Sequence, residues 1–259
     1  MKILFIGDIV GSPGREAVNK LLPGLKKEYA LDFVIANAEN AAGGSGITAK
    51  VAEDLFNSGV DVLTSGDHIW KKREILEIIN AEEKILRPIN YPAGVPGRGE
   101  ALFKTKKGAR VGVINVQGRV FMQPLECPFK ATRLAVEKLG KETKIIIIDI
   151  HAEATSEKVA LGWYVDGLSS AVLGTHTHIQ TADERILPQG TAYLTDAGMT
   201  GSCDSVIGRR VADVLERFIT CVPTRFEIAD TNVQLQGAVL DIDEQSGKAK
   251  SIVRIQKKL

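Results

Sequence analysis

Four histidines are all that this 259-residue chain contains, and two of them stand together in Gly174-Thr175-His176-Thr177-His178. The pair follows Ala171-Val172-Leu173, an apolar run that reads as a buried strand. Two histidines two apart at a strand tip can turn both imidazoles toward one point, and imidazole is the commonest metal ligand in proteins. His68 and His151 also lie just past the ends of apolar runs. Acids accompany them: Asp8 ends the first apolar run, Glu39 and Asn40 follow the second, and Asp67 precedes His68. Oxygen and nitrogen donors without thiolate suit iron, manganese or zinc rather than calcium or magnesium alone. The set is too large for one tetrahedral ion. Two ions sharing a carboxylate would use all of it, and metals roughly 3.5–4 Å apart can hold a hydroxide and clamp a phosphate oxygen. Taken singly, each residue has a plainer reading: a strand-end histidine is an ordinary polar residue, Asp8 a turn residue, and Glu39-Asn40 a capping or Asx-turn pair. The joint pattern at successive strand tips is what points to one site.

The elements that must hold these residues can be read in order. Residues 2–7 (KILFIG) are apolar throughout, the mark of a strand buried on both faces. Gly11-Ser12-Pro13-Gly14 breaks the chain, and helical spacing follows from Arg15 to Tyr29. Phe33–Ala36 is a second strand, Thr48 caps a helix running to Asn57, and Val60–Thr64 is a third strand. A helix is predicted over 70–79, an irregular connection over 87–99, and a hairpin of 102–106 with 111–116 around Lys107-Gly108. Further helices are predicted over 129–139, 153–163 and 206–219, strands at 145–148, 171–173 and 192–194, and a closing antiparallel pair over 233–242 and 251–255. Alternating strands and helices imply parallel sheets, whose ligands bind beyond the carboxyl ends of the strands. No repeat or linker divides the chain, so the expectation is one α/β domain over 1–259, two packed sheets with helices outside.

Composition narrows the function. The net charge of +1 gives no global basic field, which argues against a binder of extended nucleic acid. Cys127, Cys203 and Cys221 have no paired spacing and read as reduced thiols. The first apolar run is too short for a signal peptide, and no stretch approaches the ~20 apolar residues of a membrane span, so a soluble, cytoplasmic protein is expected.

Several longer stretches carry a resemblance: GDIVGSPGR, NAENAAGGSGIT, TSGDHIW, GRVFM, DIHAEATSEK, GTHTHI and TDAGMTG. Through them the chain resembles the calcineurin-like metallophosphoesterases, and within that superfamily the YmdB type of 2′,3′-cyclic-nucleotide phosphodiesterase. The resemblance implies a four-layer αββα sandwich of two mixed sheets. It implies a first metal on Asp8 and His178, with Asn40 as a further candidate, a bridging Glu39, and a second metal on Asp67, His151 and His176. Iron and manganese lead, with zinc as the alternative. A hydroxide held by the metals would attack phosphorus in line, and His68 would protonate the leaving 2′-oxygen, giving a nucleoside 3′-phosphate. A reading of His68 as a further ligand stays open, because spacing does not order the roles. The resemblance also suggests self-association.

The family's usual Gly-Asn-His is Gly66-Asp67-His68 here. With Asp67 the core of two divalent ions, three carboxylates and a hydroxide becomes neutral, where Asn would leave it at +1. A less acidic bridging water or a preference for one trivalent ion would follow. Arg119 is a candidate phosphate contact, and Gly198 and Thr200, in the Gly198–Gly201 loop, are candidates for the pocket lining; a salt bridge or a tight turn serves as well for each. Lys71-Lys72-Arg73 reads as a solvated face rather than a nucleotide clamp. Other substrates fit the same chemistry: 3′,5′-cyclic nucleotides, small phosphomonoesters and RNA ends. A dinucleotide-binding unit is mimicked by GDIVGSPG, but the glycine spacing is wrong for it and it leaves the histidines idle. A regulatory protein that keeps the metals and acts by binding is the remaining alternative.

Overall fold

In β1 (Lys2–Ile6), Ile3 and Phe5 enter one core while Leu4 and Ile6 enter another. Successive side chains of a strand point to opposite faces, so a run that is apolar at every position must be covered twice. The computed structural model, which describes residues 1–259, supplies helices on one side and a second sheet on the other. After β1 come β2 (Asp8–Ile9), α1 (Gly11–Glu28), β3 (Phe33–Asn37), α2 (Ala49–Asn57), β4 (Val62–Thr64), α3 (Ile75–Ile78), β5 (Glu100–Lys104) and β6 (Arg110–Gln117). The chain continues through α4 (Pro128–Leu139), β7 (Ile146–His151), α5 (Thr155–Tyr164), β8 (Ala171–Thr175), β9 (Arg185–Ile186) and β10 (Ala192–Leu194). It closes with β11 (Met199–Ser202), α6 (Val211–Thr220), β12 (Val233–Ile242) and β13 (Ala249–Lys258).

One sheet runs β2-β11-β12-β1-β3-β4, with β13 on β12; the other runs β5-β6-β7-β8-β10-β9. Ile3, Phe5, Ile35, Val113, Ile147 and Leu173 fill the space between the two sheets. Val18 and Leu22 of α1 and Leu55 of α2 cover the outer face of the first sheet, and Val136 of α4 and Leu161 of α5 cover that of the second. This is the expected αββα sandwich of two mixed sheets. Within it β1, β3 and β4 are mutually parallel, as are β6, β7, β8 and β10. Parallel strands bring their carboxyl ends to one edge, and both sheets deliver those ends to the same place.

Thr48 caps α2 as expected, its hydroxyl accepting from the Val51 N–H at 3.3 Å. Two predicted helices are shorter than their patterns. Over 70–79 only Ile75–Ile78 is helical, because three-residue turns (Ile69 N–H to Gly66 carbonyl at 3.2 Å, Lys71 N–H to His68 carbonyl at 2.9 Å) hold the chain at the strand tip. Over 206–219 the helix starts at Val211. Before it, Val206 and Arg209 exchange both backbone hydrogen bonds around Ile207 (φ 47°) and Gly208 (φ 92°), a turn that no helix can contain.

Candidate metal centre

The strand tips supply the donors one by one. Asp8 follows β1, Glu39 and Asn40 follow β3, Asp67 and His68 follow β4, His151 ends β7, and His176 and His178 follow β8. Gly66 lets the Asp67-His68 turn lie against the others: a Cβ there would stand 2.1 Å from His151 Cδ2 and 2.3 Å from Glu39 Oε2. His176 and His178 have φ of 98° and 63°, left-handed values that non-glycine residues adopt at a cost of about 1–3 kcal/mol each. That curl is what brings both rings inward. The residue between them is clamped: Thr177 donates its N–H (3.1 Å) and its hydroxyl (2.7 Å) to Asp196. Asp196 is fully buried and also accepts from the buried Lys158 ammonium of α5 at 2.7 Å.

The donor atoms of Glu39, Asp67, His151 and His176 all lie within 4.8 Å of one another. His151 Nε2 is 3.1 Å from Glu39 Oε2, 3.3 Å from Asp67 Oδ1 and 3.0 Å from His176 Nδ1. The opposite nitrogen of each ring has its own partner. His151 Nδ1 meets the Thr175 hydroxyl at 2.9 Å, and that hydroxyl donates to the buried Asp149 carboxylate at 2.7 Å. Thr175 can then only accept from His151, which puts the proton on Nδ1 and turns the Nε2 lone pair inward. His176 Nε2 is 3.2 Å from Glu153 Oε2, so a proton there leaves Nδ1 facing the cluster. His178 Nδ1 donates to the Ile207 carbonyl at 3.1 Å, and its Nε2 faces Asn40 at 3.2 Å and Asp8 Oδ1 at 3.8 Å. Glu39 stands between the groups: Oε2 points toward His151, while Oε1 accepts from the Asn40 amide at 2.9 Å.

Buried carboxylate oxygens without a donor are rare and costly. Two occur here, Asp8 Oδ1 and Asp67 Oδ1. In the protein alone a proton answers this negative charge. Burial disfavours the charged His151 ring, but Glu39, Asp67 and Asp8 outweigh it and hold the pKa well above the ordinary value. Glu39 is likewise held well below its usual range by His151 and His68 despite its burial. Burial raises Asp8, and burial followed by repulsion from His151 lowers His176 to about 4. With His151 deprotonated, as metal binding requires, its inward-facing Nε2 and the two orphaned carboxylate oxygens fit a divalent or trivalent cation.

His68 sits apart from that quartet. Its Nδ1 donates to Asn40 Oδ1 at 2.8 Å, and its backbone N–H reaches Glu39 Oε2 at 3.3 Å. Its Nε2 stays at the cavity side, 3.7 Å from Asp67. The contact with Glu39 raises its pKa despite partial burial. Asn40 here spends its oxygen on His68 and turns its nitrogen toward His178, so it orients two histidines rather than offering an oxygen beside Asp8.

The remaining three candidates lie elsewhere. Arg119 is exposed and outside the cavity lining; its backbone N–H, with that of Val120, is bound by the Glu157 carboxylate. Gly198 and Thr200 are buried behind the site, where Met199 and Thr200 of β11 pair with Asp8 and Ile9 of β2. At Gly198, with φ of 85°, a Cβ would stand 2.2 Å from Gln236 Oε1, so its glycine answers to sheet packing. Sequence reasoning missed Glu153, Asp149 and Thr175. Glu153 and Asp149 belong to stretches beside His151, but no motif marks a carboxylate that acts through its neighbour's ring.

The family model for "YmdB-like protein" matches residues 4–255. The chain is 51% identical over 255 residues to the 2′,3′-cyclic-nucleotide 2′-phosphodiesterase of Bacillus subtilis, covering 98% of this chain and 96% of that one. A crystal structure of a hypothetical protein from Thermus thermophilus superposes with a TM-score of 0.93 at 40% identity, covering 100% of this chain and 99% of the other. That of a novel phosphatase from Mycoplasma pneumoniae gives 0.93 at 33%, covering 100% and 93%. A match running almost end to end, on a sandwich whose strand tips gather these donors, makes the chain a member of the YmdB-like family of calcineurin-like metallophosphoesterases.

Proposed function

We propose that this chain is a metal-dependent phosphodiesterase that opens 2′,3′-cyclic nucleotides to nucleoside 3′-phosphates. The observation that carries the reading is the convergence of Glu39, Asp67, His151 and His176, with Asp67 Oδ1 and the Oδ1 of Asp8 left without a hydrogen-bond partner. The 51%-identical relative supplies the substrate class. In this reading Asp8 and His178 would hold one ion, Asp67, His151 and His176 would hold a second, and Glu39 would serve both. Iron or manganese, with zinc as the alternative, would supply a nucleophile at neutral pH and charge stabilisation on the phosphate oxygens.

The chain's own groups do the rest. The Nδ1–H of His68 is anchored on Asn40, which leaves Nε2 to hold a proton for the departing 2′-oxygen. Glu39 favours that protonated state. The clamp of Thr177 by Asp196 keeps His176 and His178 in their curled backbone. Elemental analysis paired with turnover of 2′,3′-cAMP tests the reading. Two metals per chain, and a His68→Ala variant that keeps them while kcat falls about 10²–10⁴-fold, are expected. A His68→Ala variant that loses metal would make His68 a ligand or a support. A protein that stays inactive after supply of iron, manganese and zinc removes the phosphodiesterase reading. The Asp67 carboxylate predicts a less acidic nucleophilic water, so Asp67→Asn should move the acidic limb of the pH–rate profile down; an unmoved limb refutes this part.

A further inference from the structure

Glu39, His68, His176 and His178 line a cavity of about 780 Å³, within the range of small-molecule sites. The rest of the lining includes a chemically different wall: Ile207, Val214, Phe218 and Phe226, with Arg217 among them. This wall is one stretch of chain, the turn before α6, the helix itself and the segment that returns beside it. It is tied to the donors at two points. The Ile207 carbonyl accepts from His178, and the Arg209 guanidinium donates to the Gly44 carbonyl in the loop after Asn40. Its far end is fixed to α6 by the Arg210–Glu227 ion pair and by the Glu227 N–H on Asp213 at 2.8 Å. Phe226 is thereby held beside the helix.

The wall is held in place but left uncovered. Phe218 is 75% exposed, Ile207 51% and Phe226 38%. Clustered apolar faces in water, next to a polar site, mark a surface that a ligand covers. Arg217 belongs to none of the molecule's ion pairs, so its guanidinium is also available.

We infer that this wall is the nucleobase subsite of the enzyme, an inference that rests on the phosphodiesterase reading. In a 2′,3′-cyclic nucleotide the phosphate and the base are carried by the same ribose. Phosphorus at the donor side therefore places a flat aromatic ring one sugar away, within the same cavity. Phenyl faces take such a ring by stacking, which every base offers. Of the wall's hydrogen-bonding side chains that line the cavity, Arg209 is engaged with the Gly44 carbonyl, which leaves the guanidinium of Arg217 and the weak thiol donor of Cys221 for a base edge. Recognition is then by face and area, and the enzyme accepts all four bases with purines ahead of pyrimidines.

The test uses metal-loaded wild-type enzyme and the Phe218→Ala and Phe226→Ala variants, with metal content checked by elemental analysis. The readout is the ratio of kcat/KM for 2′,3′-cAMP to that for the 2′,3′-cyclic phosphate of base-free ribose. The ratio should fall about tenfold in Phe218→Ala, mostly through KM. Calorimetry with 3′-AMP gives a second readout that needs no turnover, and its affinity should fall by a similar factor. Both cyclic substrates falling equally, or a ratio and a 3′-AMP affinity that do not move, overturns the subsite. So does a changed oligomeric state with the ratio unmoved, which would assign the wall to a second copy of the chain. If wild-type enzyme turns over neither cyclic substrate but 3′-AMP affinity still drops in Phe218→Ala, the phosphodiesterase reading fails and the subsite stands.

Discussion

On the histidine side of the cavity the rings are backed by hydrogen-bonding partners, most of them buried, whereas the α6 side presents apolar faces to water. His151 is backed by Thr175 and Asp149, His176 by Glu153, and the residue between His176 and His178 by Asp196 and Lys158. On α6 only Val214 is buried, and Leu215, Phe218 and Ile219 stay exposed. The donors must hold a fixed geometry, because misplaced ligands lose metal, so they sit at strand ends inside a hydrogen-bonded frame. A stacking surface needs only area, so it can sit on a helix with one buried anchor. The contrast is testable by perturbing each side and asking whether stability, metal affinity or neither responds.

Lys158→Met should have the largest effect. It keeps most of the side-chain stem but leaves Asp196 as a buried charge without its cation. Removing one partner of a buried pair typically costs about 3–5 kcal/mol. The three hydrogen bonds that Asp196 keeps from Thr177 and Gly198 put this case near the lower end. Denaturant unfolding measures it. A loss below about 1 kcal/mol would mean that Lys158 is not part of the frame.

Thr175→Val comes next. The change preserves shape and removes the hydroxyl that accepts from His151 and donates to Asp149. Metal affinity should fall about 10–100-fold, the usual effect of losing such a backing group. Competition with a chelator reads it, and an unchanged affinity would show that His151 is oriented by packing alone.

The frame should also respond to acid. Burial raises the pKa of Asp183, but the hydroxyls of Thr181 and Thr195 and the Thr195 N–H outweigh it and hold it below the ordinary value. A lowered folded-state pKa means that the carboxylate contributes stability above its unfolded value of about 3.9 and loses it as pH falls through the folded one. Asp183→Asn should therefore be less stable than wild type at neutral pH, and the gap should close as the acid range is entered. A gap independent of pH would assign the effect to packing.

Much of this frame could be read from residue order. Continuous apolar runs such as Lys2–Ile6 and Ile145–Ile148 gave buried parallel strands, and the polar residue after each run marked the edge where the donors meet. What pattern could not carry was through-space partnership. Asp149 follows the run Ile145–Ile148 and Lys158 falls within the helical stretch 153–163, and neither position reveals the partner, distant in sequence, with which it is buried. The two overlong helices fail for a related reason. Apolar spacing continued through Trp70–Ile79 and Val206–Ile219, but tight turns tied to the site interrupted the first part of both. The charge of Arg119 is visible in the sequence, while the Glu157 carboxylate that binds its backbone N–H is not.

The smallest effect is expected on the other side of the cavity. Leu215 lies on α6, 49% exposed, and does not line the cavity. Leu215→Ser removes apolar surface that is already half in water and lowers helix propensity slightly, so stability should change by no more than about 0.5 kcal/mol. In a chain of this length that is a melting-temperature shift of about 1–2 °C, and metal affinity should not follow it. A loss well above 1 kcal/mol would place α6 in the frame and remove the contrast. A melting temperature that depends on protein concentration in wild type, and no longer does so in Leu215→Ser, would show the helix covered by another copy. The null effect is thus the sharper half of the comparison: it holds only if the α6 wall is a surface the fold carries without needing.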